Sequence, residues 1–269
     1  MHGLTFVINW DSSVGSAPSS FVSGIELAAN NLLNSLSGPL HATTIKLNVG
    51  WGEVAGSPLG LGALGESETY IDPVGYGTLQ SALNANLPAA DLLPASDPLS
   101  GTHTYWVATS EEKALGLPTS NPTVDGDVGF GSSYNWNYTS NPTSAQYDFV
   151  GVAEHEISET MGRIALIGGS IGSTTNSYSA FDLFRFSSPG IRSPGASSAF
   201  FSYNGSNSTA ANAAGSLTTN FNTVAGGDPG DWASSAGNDA FNAFSSTGAL
   251  KLSGVDIAVL NALGYGRPA

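Results

Sequence analysis

The stretch at residues 147–164 constrains the fold more than any other part of the sequence, because its apolar residues keep helical spacing. They recur at intervals of three and four and form one stripe: Val150, Ala153, Ile157, Met161 and Ile164. His155 and Glu159 stand four residues apart, so a helix places them one above the other on a different face. Glu156 directly follows His155 and points to the side of that pair. We therefore predict an amphipathic helix that carries one histidine and two carboxylates close together.

These three side chains have the composition of a hydrolytic metal site. A metal ion needs ligands that converge, and it needs a base near the water that it activates. The spacing matches the zincin pattern His-Glu-x-x-His, except that the second histidine is Glu159. A carboxylate oxygen binds zinc at nearly the same distance as an imidazole nitrogen. The alternative is a helix face without a metal, on which Glu159 pairs with Arg163 four residues later.

The residues that follow the helix limit the choice of a third ligand. Gly162 stands three residues after Glu159, where a metzincin helix breaks to bring its third ligand round. The metzincin position for that ligand holds Ala165, and an alanine side chain cannot bind a metal. A third ligand therefore has to come from elsewhere in the chain.

Composition excludes several classes of partner. The 269 residues include 7 basic and 21 acidic ones, for a net charge of −14, whereas nucleic acid and anionic membranes favour clustered Lys and Arg. No cysteine is present, so neither disulfides nor thiolate metal sites can form. No apolar run approaches the roughly 18 residues of a membrane-spanning helix. We expect a monomer that binds neither nucleic acid nor membranes. Because the composition resembles that of secreted bacterial proteins, we expect secretion, although no signal peptide is visible.

The order of predicted elements favours an α+β fold. Residues 4–10 read as a strand, 21–36 as a helix and 43–54 as a half-buried strand, which together suggest a crossover within a mixed sheet. Residues 60–69 read as a glycine-rich loop or as an edge strand that could bind an extended peptide through its main chain. After residue 169 the chain becomes rich in loops, and it ends in a helix at residues 252–263.

We predict two parts within one compact catalytic domain. Residues 1–169 form the N-terminal part with the active-site helix, and residues 170–269 form a loop-rich C-terminal part that completes the site.

Several segments resemble known metalloproteases. HEISETMGR at 155–163, FDLFRFSSPG at 181–190, GDWA at 230–233 and VDIAVLNALGY at 255–265 resemble a group of exported bacterial proteins classed as metalloprotease-like for their His-Glu-x-x-Glu-x-x-Gly-Arg motif. The strand DVGFG at 127–131 is similar to the strand before the active-site helix of serralysin-type metzincins. This resemblance implies a zincin-like fold with a twisted mixed sheet. It also implies a secreted peptidase that acts on proteins or peptides.

The resemblance assigns roles to individual residues. His155 and Glu159 would bind a divalent metal, and Glu156 would take a proton from metal-bound water that attacks a peptide carbonyl. Asp182, 23 residues after Glu159, is the predicted third ligand by analogy with gluzincins, and its alternative role is a salt bridge with Arg163 or Arg185.

Three further expectations concern the oxyanion, the metal and the remaining histidines. Tyr178 is the candidate for oxyanion stabilisation, with simple packing as its alternative. Zinc is the expected metal, while one histidine with two carboxylates also suits Mn²⁺ or Ca²⁺. The late acidic turns offer possible structural Ca²⁺ sites at Asp228, Asp231 and Asp239. His103 is a lesser ligand candidate, and we expect His41 and His2 to be solvated.

Two other functions remain open from the sequence. The carboxylates Glu156, Glu159 and Asp182 could form the acid/base pair of a carbohydrate-active hydrolase, with aromatic residues near them stacking on sugars. A degenerate zincin scaffold could also serve as a binding module without catalysis.

Overall fold

The computed structural model describes residues 3–121, 123–205 and 219–267. Its α-helices are α1 (Ser20–Ser35), α2 (Tyr76–Asn84), α3 (Thr109–Leu115), α4 (Phe149–Thr160) and α5 (Gly254–Leu260). Its strands are β1 (Leu4–Trp10), β2 (Thr43–Trp51), β3 (Glu53–Val54), β4 (Ser57–Pro58), β5 (Gly65–Thr69), β6 (Ile71–Val74), β7 (Thr104–Ala108), β8 (Gly126–Phe130), β9 (Trp136–Asn137), β10 (Tyr147–Asp148), β11 (Gly169–Ile171), β12 (Thr174–Ser179), β13 (Arg185–Ser188), β14 (Ile191–Arg192) and β15 (Phe200–Phe201). Mixed strands and helices confirm the predicted α+β class.

The first sheet has the order β1-β2-β8-β5. Strands β1, β2 and β8 run parallel, and β5 runs antiparallel to β8 at the end of the sheet. Helix α1 connects β1 to β2, as the predicted strand, helix and strand require. Of the two structures expected for residues 60–69, a loop or an edge strand, residues 65–69 form the strand β5.

A second sheet has the order β11-β12-β7-β6, and a third, small sheet joins β14, β13 and β15. One hydrophobic core includes residues from both predicted parts of the chain, from Leu4 in β1 to Tyr265 after α5. No helix among the described residues combines the length and the apolar character needed to cross a bilayer.

Helix α4 packs into the hydrophobic core through its apolar side chains. Its predicted stripe is buried, since Val150, Ala153, Ile157 and Met161 are each at most 1% exposed. Burial of this kind stabilises a fold by about 1.5–3 kcal/mol for each large aliphatic side chain. Its Phe149 ring packs on α1 at Gly24, where a methyl group would lie only 2.7 Å from the ring.

The two ends of α4 have clear physical causes. At the start, the Asp148 carboxylate accepts hydrogen bonds from the backbone N–H groups of Val150 and Gly151, at 3.2 and 3.3 Å. At the end, Gly162 adopts a left-handed conformation with φ of +96°, which glycine reaches without strain. The helix therefore stops at Thr160, shorter than the predicted stretch, and Ile164 lies beyond it.

Candidate metal centre

Three side chains converge where α4 meets a loop from the C-terminal part. His155 Nε2 lies 3.2 Å from Glu159 Oε1 and 3.4 Å from Asp231 Oδ1. One potential ligand atom from each residue lies within 4.8 Å of the other two, and no other such group occurs among the described residues. Helix α4 supplies the first two residues one turn apart, as predicted. Asp231 lies in a turn, where its backbone carbonyl accepts from Asn222 N at 2.8 Å.

Hydrogen bonds from outside the trio fix two of its members. His155 Nδ1 lies 2.8 Å from the carbonyl oxygen of Ala240, which can only accept, so Nδ1 carries the proton and Nε2 faces the carboxylates. Ser67 on β5 donates its hydroxyl to Glu159 Oε2 at 2.6 Å. Metal-binding histidines are commonly oriented by this kind of second hydrogen bond.

The buried Arg163 guanidinium binds both carboxylates of the trio. Its Nη1 lies 2.5 Å from Asp231 Oδ1, and its Nη2 lies 3.3 Å from Glu159 Oε1. Its Nε donates to Ser158 Oγ at 2.7 Å, and the guanidinium stacks 4.3 Å from the centre of the Phe241 ring. The predicted Glu159–Arg163 pair therefore exists, but it is part of the site rather than a feature of a solvated surface.

The surrounding charges shift the pKa values of His155 and Glu159. Burial and the positive charge of Arg163 lower the pKa of His155, but Asp231 and Glu159 outweigh them and raise it to about 9. Burial raises the pKa of Glu159, whereas its hydrogen bond with His155 and the charges of His155 and Arg163 lower it to about 2. Both residues are thus charged at neutral pH in the metal-free protein.

Glu156 lies beside the trio and faces the same groove. Burial, followed by the negative charge of Glu159, raises the pKa of Glu156 well above its usual range. Within the described chain, its carboxylate takes part in none of the side-chain hydrogen bonds that hold the trio. It lies against Gly65 on β5, where a methyl group would stand 2.6 Å from Glu156 Oε1. The absence of a side chain at Gly65 leaves room for this carboxylate.

The groove above the trio has a volume of about 690 Å³. One wall is formed by residues 60–67, which include the first three residues of β5, and another by residues 226–228 and 242–245. Leu61 on the first wall is fully exposed, and Phe244 on the second is 54% exposed. The groove therefore combines an acidic floor with an apolar side chain on each rim.

The trio fits the coordination of zinc in its donor set and spacing. Ligand atoms about 2.0–2.2 Å from a tetrahedral zinc ion stand about 3.3–3.6 Å from one another. Of the two separations from His155 Nε2, 3.4 Å falls within this range and 3.2 Å lies just below it. Imidazole nitrogen and carboxylate oxygen both bind zinc, and the oxygen-rich donor set also suits Mn²⁺.

Asp182 is not part of the trio. Its Oδ2 accepts hydrogen bonds from the backbone N–H groups of Leu166, Ile167 and Ser179, at 3.0, 3.0 and 2.8 Å. These bonds organise the loop that follows α4. The position that the sequence analysis gave to Asp182 is taken by Asp231, because only Asp231 approaches both His155 and Glu159.

Tyr178 also lies outside the groove. Its ring packs 6.1 Å from the His103 ring and 6.3 Å from the Tyr105 ring, measured between centroids. Its hydroxyl faces Gly168, where a methyl group would lie 2.9 Å from it. This environment matches the alternative of simple packing.

The other predicted ligands have separate environments. His103 binds Asp97 through Nε2 at 2.9 Å, away from the trio, and His41 is exposed. His2 lies outside the described residues. Asp228 lines the groove, and Asp239 accepts from Phe241 N at 2.8 Å. Neither aspartate belongs to a metal-binding group among the described residues, and of the three proposed for Ca²⁺ only Asp231 does.

The sequence analysis missed three contributors to the site. Asp231 was noted only as an acidic turn residue, although the GDWA motif that contains it was part of the observed resemblance. Ser67 and the Ala240 carbonyl had no sequence signal, since a hydroxyl in a polar strand and a backbone oxygen are indistinguishable from their neighbours.

The chain matches no protein-family model, no curated protein and no solved structure. Its chemistry is therefore inferred from the geometry of the site.

Proposed function

We propose that the protein is a metal-dependent peptidase of zincin type that hydrolyses peptide bonds in the groove beside α4. The observation that carries this proposal is the convergence of His155 Nε2, Glu159 Oε1 and Asp231 Oδ1 beside Glu156, which lines the same groove. His155, Glu159 and Asp231 would hold a zinc ion, or Mn²⁺. A divalent ion bound there would activate water and polarise the substrate carbonyl.

The protein's own groups supply the remaining steps. Glu156 accepts a proton from the attacking water and delivers it to the leaving amine nitrogen. The raised pKa of this carboxyl favours its role as the proton donor to the leaving nitrogen. Because Nδ1 donates to Ala240, Nε2 is the nitrogen of His155 that would give up its proton and bind the metal.

The edge strand β5 supports a peptide as substrate. It ends the first sheet and forms one wall of the groove, so an extended chain could pair with its free edge beside Glu156. Leu61 and Phe244 on the two rims offer apolar contacts for substrate side chains.

The zincin assignment is supported by the active-site helix, by an antiparallel edge strand beside it and by a C-terminal helix, α5. Secretion, a monomeric state and the absence of nucleic-acid or membrane partners remain part of the proposal on the grounds of composition and charge.

The contacts of Glu159 argue against the carbohydrate-active alternative. This carboxylate is bound by Ser67, His155 and Arg163, and its pKa is lowered to about 2. An ionised Glu159 could act only as the nucleophile or base, which leaves Glu156 as the acid. Glu156 and Glu159 share one turn of α4, whereas the two carboxyl groups of a glycosidase flank the scissile bond.

The test of the proposed function is Glu156→Gln, with metal content and hydrolysis measured on the same samples. We expect wild type purified without added metal to contain one equivalent of metal and to cleave unstructured casein. The variant should retain the metal and lose hydrolysis by a factor of about 10² or more, since the proton carrier is missing. Hydrolysis that survives the substitution would remove Glu156 as the base. Metal retained by a wild type that hydrolyses nothing would favour a binding module.

A further inference from the structure

The residue after Asp231 connects the trio to the C-terminal helix. Trp232 is fully buried, and its indole Nε1 donates a hydrogen bond to Asp256 Oδ1 at 2.7 Å. Asp256 lies in the first turn of α5 and is itself inaccessible to solvent. Its other oxygen, Oδ2, accepts from the backbone N–H of Ser253 at 2.7 Å. One carboxylate thus holds both the start of α5 and the side chain next to Asp231.

The same tryptophan also holds the segment that orients His155. Trp232 N donates to the Phe241 carbonyl at 2.8 Å, and the Trp232 carbonyl accepts from Ala243 N at 3.1 Å. These bonds fix both ends of residues 241–243 directly after Ala240. The Asp231 carboxylate and the Ala240 carbonyl therefore lie on one hydrogen-bonded unit that is tied to α5 through Asp256.

We propose that Asp256 is a positioning residue of the metal centre, which acts through Trp232 on Asp231 and on the Ala240–His155 hydrogen bond. This inference rests on the proposed function, because it requires that the trio bind a metal. Metal affinity depends on ligand positions within a few tenths of an ångström. Loss of partners that orient ligands commonly weakens metal binding 10–100-fold.

Two substitutions remove the connection from opposite ends. Trp232 and Ser253 donate to different oxygens of Asp256, and Asp256→Asn replaces one of these oxygens with an NH₂ donor, so one of the two bonds is lost. Trp232→Phe removes the indole N–H donor and leaves Asp256 to cap α5. The phenyl ring retains most of the aromatic packing with Phe221 and Phe201, whose rings lie 5.2 and 6.1 Å from the Trp232 ring.

Val259→Ala is the matched control. Val259 lies on α5 and is fully buried, so its truncation destabilises the same helix without touching the hydrogen bond between Trp232 and Asp256. A variant whose only defect is a weaker α5 should therefore behave like Val259→Ala.

The experiment measures zinc affinity by competition with a chromophoric chelator on folded wild type and variants, with far-UV circular dichroism as the check of folding. We expect Asp256→Asn and Trp232→Phe each to bind zinc 10–100-fold more weakly than wild type, and Val259→Ala to bind it within twofold. The double variant should bind zinc no more weakly than the more impaired of the two single variants, because both substitutions remove the same connection.

The outcomes separate this inference from the proposed function. Wild-type affinity in both Asp256→Asn and Trp232→Phe, or an equal loss in Val259→Ala, overturns the positioning role alone. Tight zinc binding by a wild type that hydrolyses no peptide overturns the peptidase alone. A wild type that binds neither zinc nor manganese overturns both.

Discussion

Arg163 is the residue whose removal best separates a metal centre from a purely structural ion network. Its guanidinium is 1% exposed and contacts the two carboxylates of the trio, Glu159 and Asp231. We consider Arg163→Met, which keeps much of the apolar volume but removes the charge and all donors. In the metal-free protein this leaves two buried carboxylates with one partially compensating imidazolium, His155.

The expected cost follows from these contacts. Removing one partner of a buried ion pair typically costs about 3–5 kcal/mol. For a chain of this size each kcal/mol lowers the melting temperature by about 2–4 °C, so the metal-free variant should melt about 6–20 °C below wild type. In the zinc-loaded protein the ion neutralises the same two carboxylates. The decrease in melting temperature should then be about half of that in the metal-free protein, or less.

The assay is differential scanning calorimetry of wild type and variant, in EDTA and with saturating zinc. Arg192→Met is the control, because Arg192 is a half-buried arginine that stacks on an aromatic ring, Phe186, and donates to backbone carbonyls rather than to carboxylates. Its loss of stability should be the same with and without zinc. An Arg163→Met deficit that zinc leaves unchanged would refute the reasoning.

Three further predictions address the ligands, the groove and pH. Asp231→Asn should weaken zinc binding at least 100-fold, whereas Asp182→Asn should lower stability and leave the zinc affinity within a few-fold of wild type. The reverse order of affinities in chelator competition would restore Asp182 as the third ligand. Gly65→Ala should reduce kcat at least tenfold without loss of metal, because its methyl group would stand 2.6 Å from the Glu156 carboxyl. Gly77→Ala is the control, because a methyl group there meets nothing within 4 Å, and it should act like wild type in the same peptide-cleavage assay. Since the pKa of His155 is about 9 in the metal-free protein, zinc must displace a proton below that pH. Calorimetric titrations should therefore show the affinity falling about tenfold per unit as pH decreases from 8 to 6, and an affinity independent of pH would contradict the protonated histidine.

The local part of the site could be predicted from the sequence, because helical periodicity fixes neighbours. The spacing of His155, Glu156 and Glu159 determines their relative positions once the helix forms, and the buried stripe makes the helix itself predictable. The same holds for β1, α1 and β2, whose alternation and apolar spacing are strong.

The third residue of the trio could not be predicted in this way. Asp231 comes from a turn without periodic pattern, 72 residues after Glu159, and only tertiary packing brings the two together. Asp182 looked suitable because of its distance along the chain, but three backbone N–H groups of nearby residues already occupy one of its oxygens. Tyr178 fails for a similar reason, since the second sheet directs its ring towards His103 and away from the groove.

Anomalous scattering from crystals of the zinc-loaded protein, recorded on both sides of the zinc absorption edge, tests the central claim most directly. The account predicts one strong peak about 2.0–2.2 Å from His155 Nε2 and from a carboxylate oxygen of both Glu159 and Asp231. A trio that shows no peak, with Arg163 alone bridging its carboxylates, would contradict the metal centre and the peptidase proposed from it.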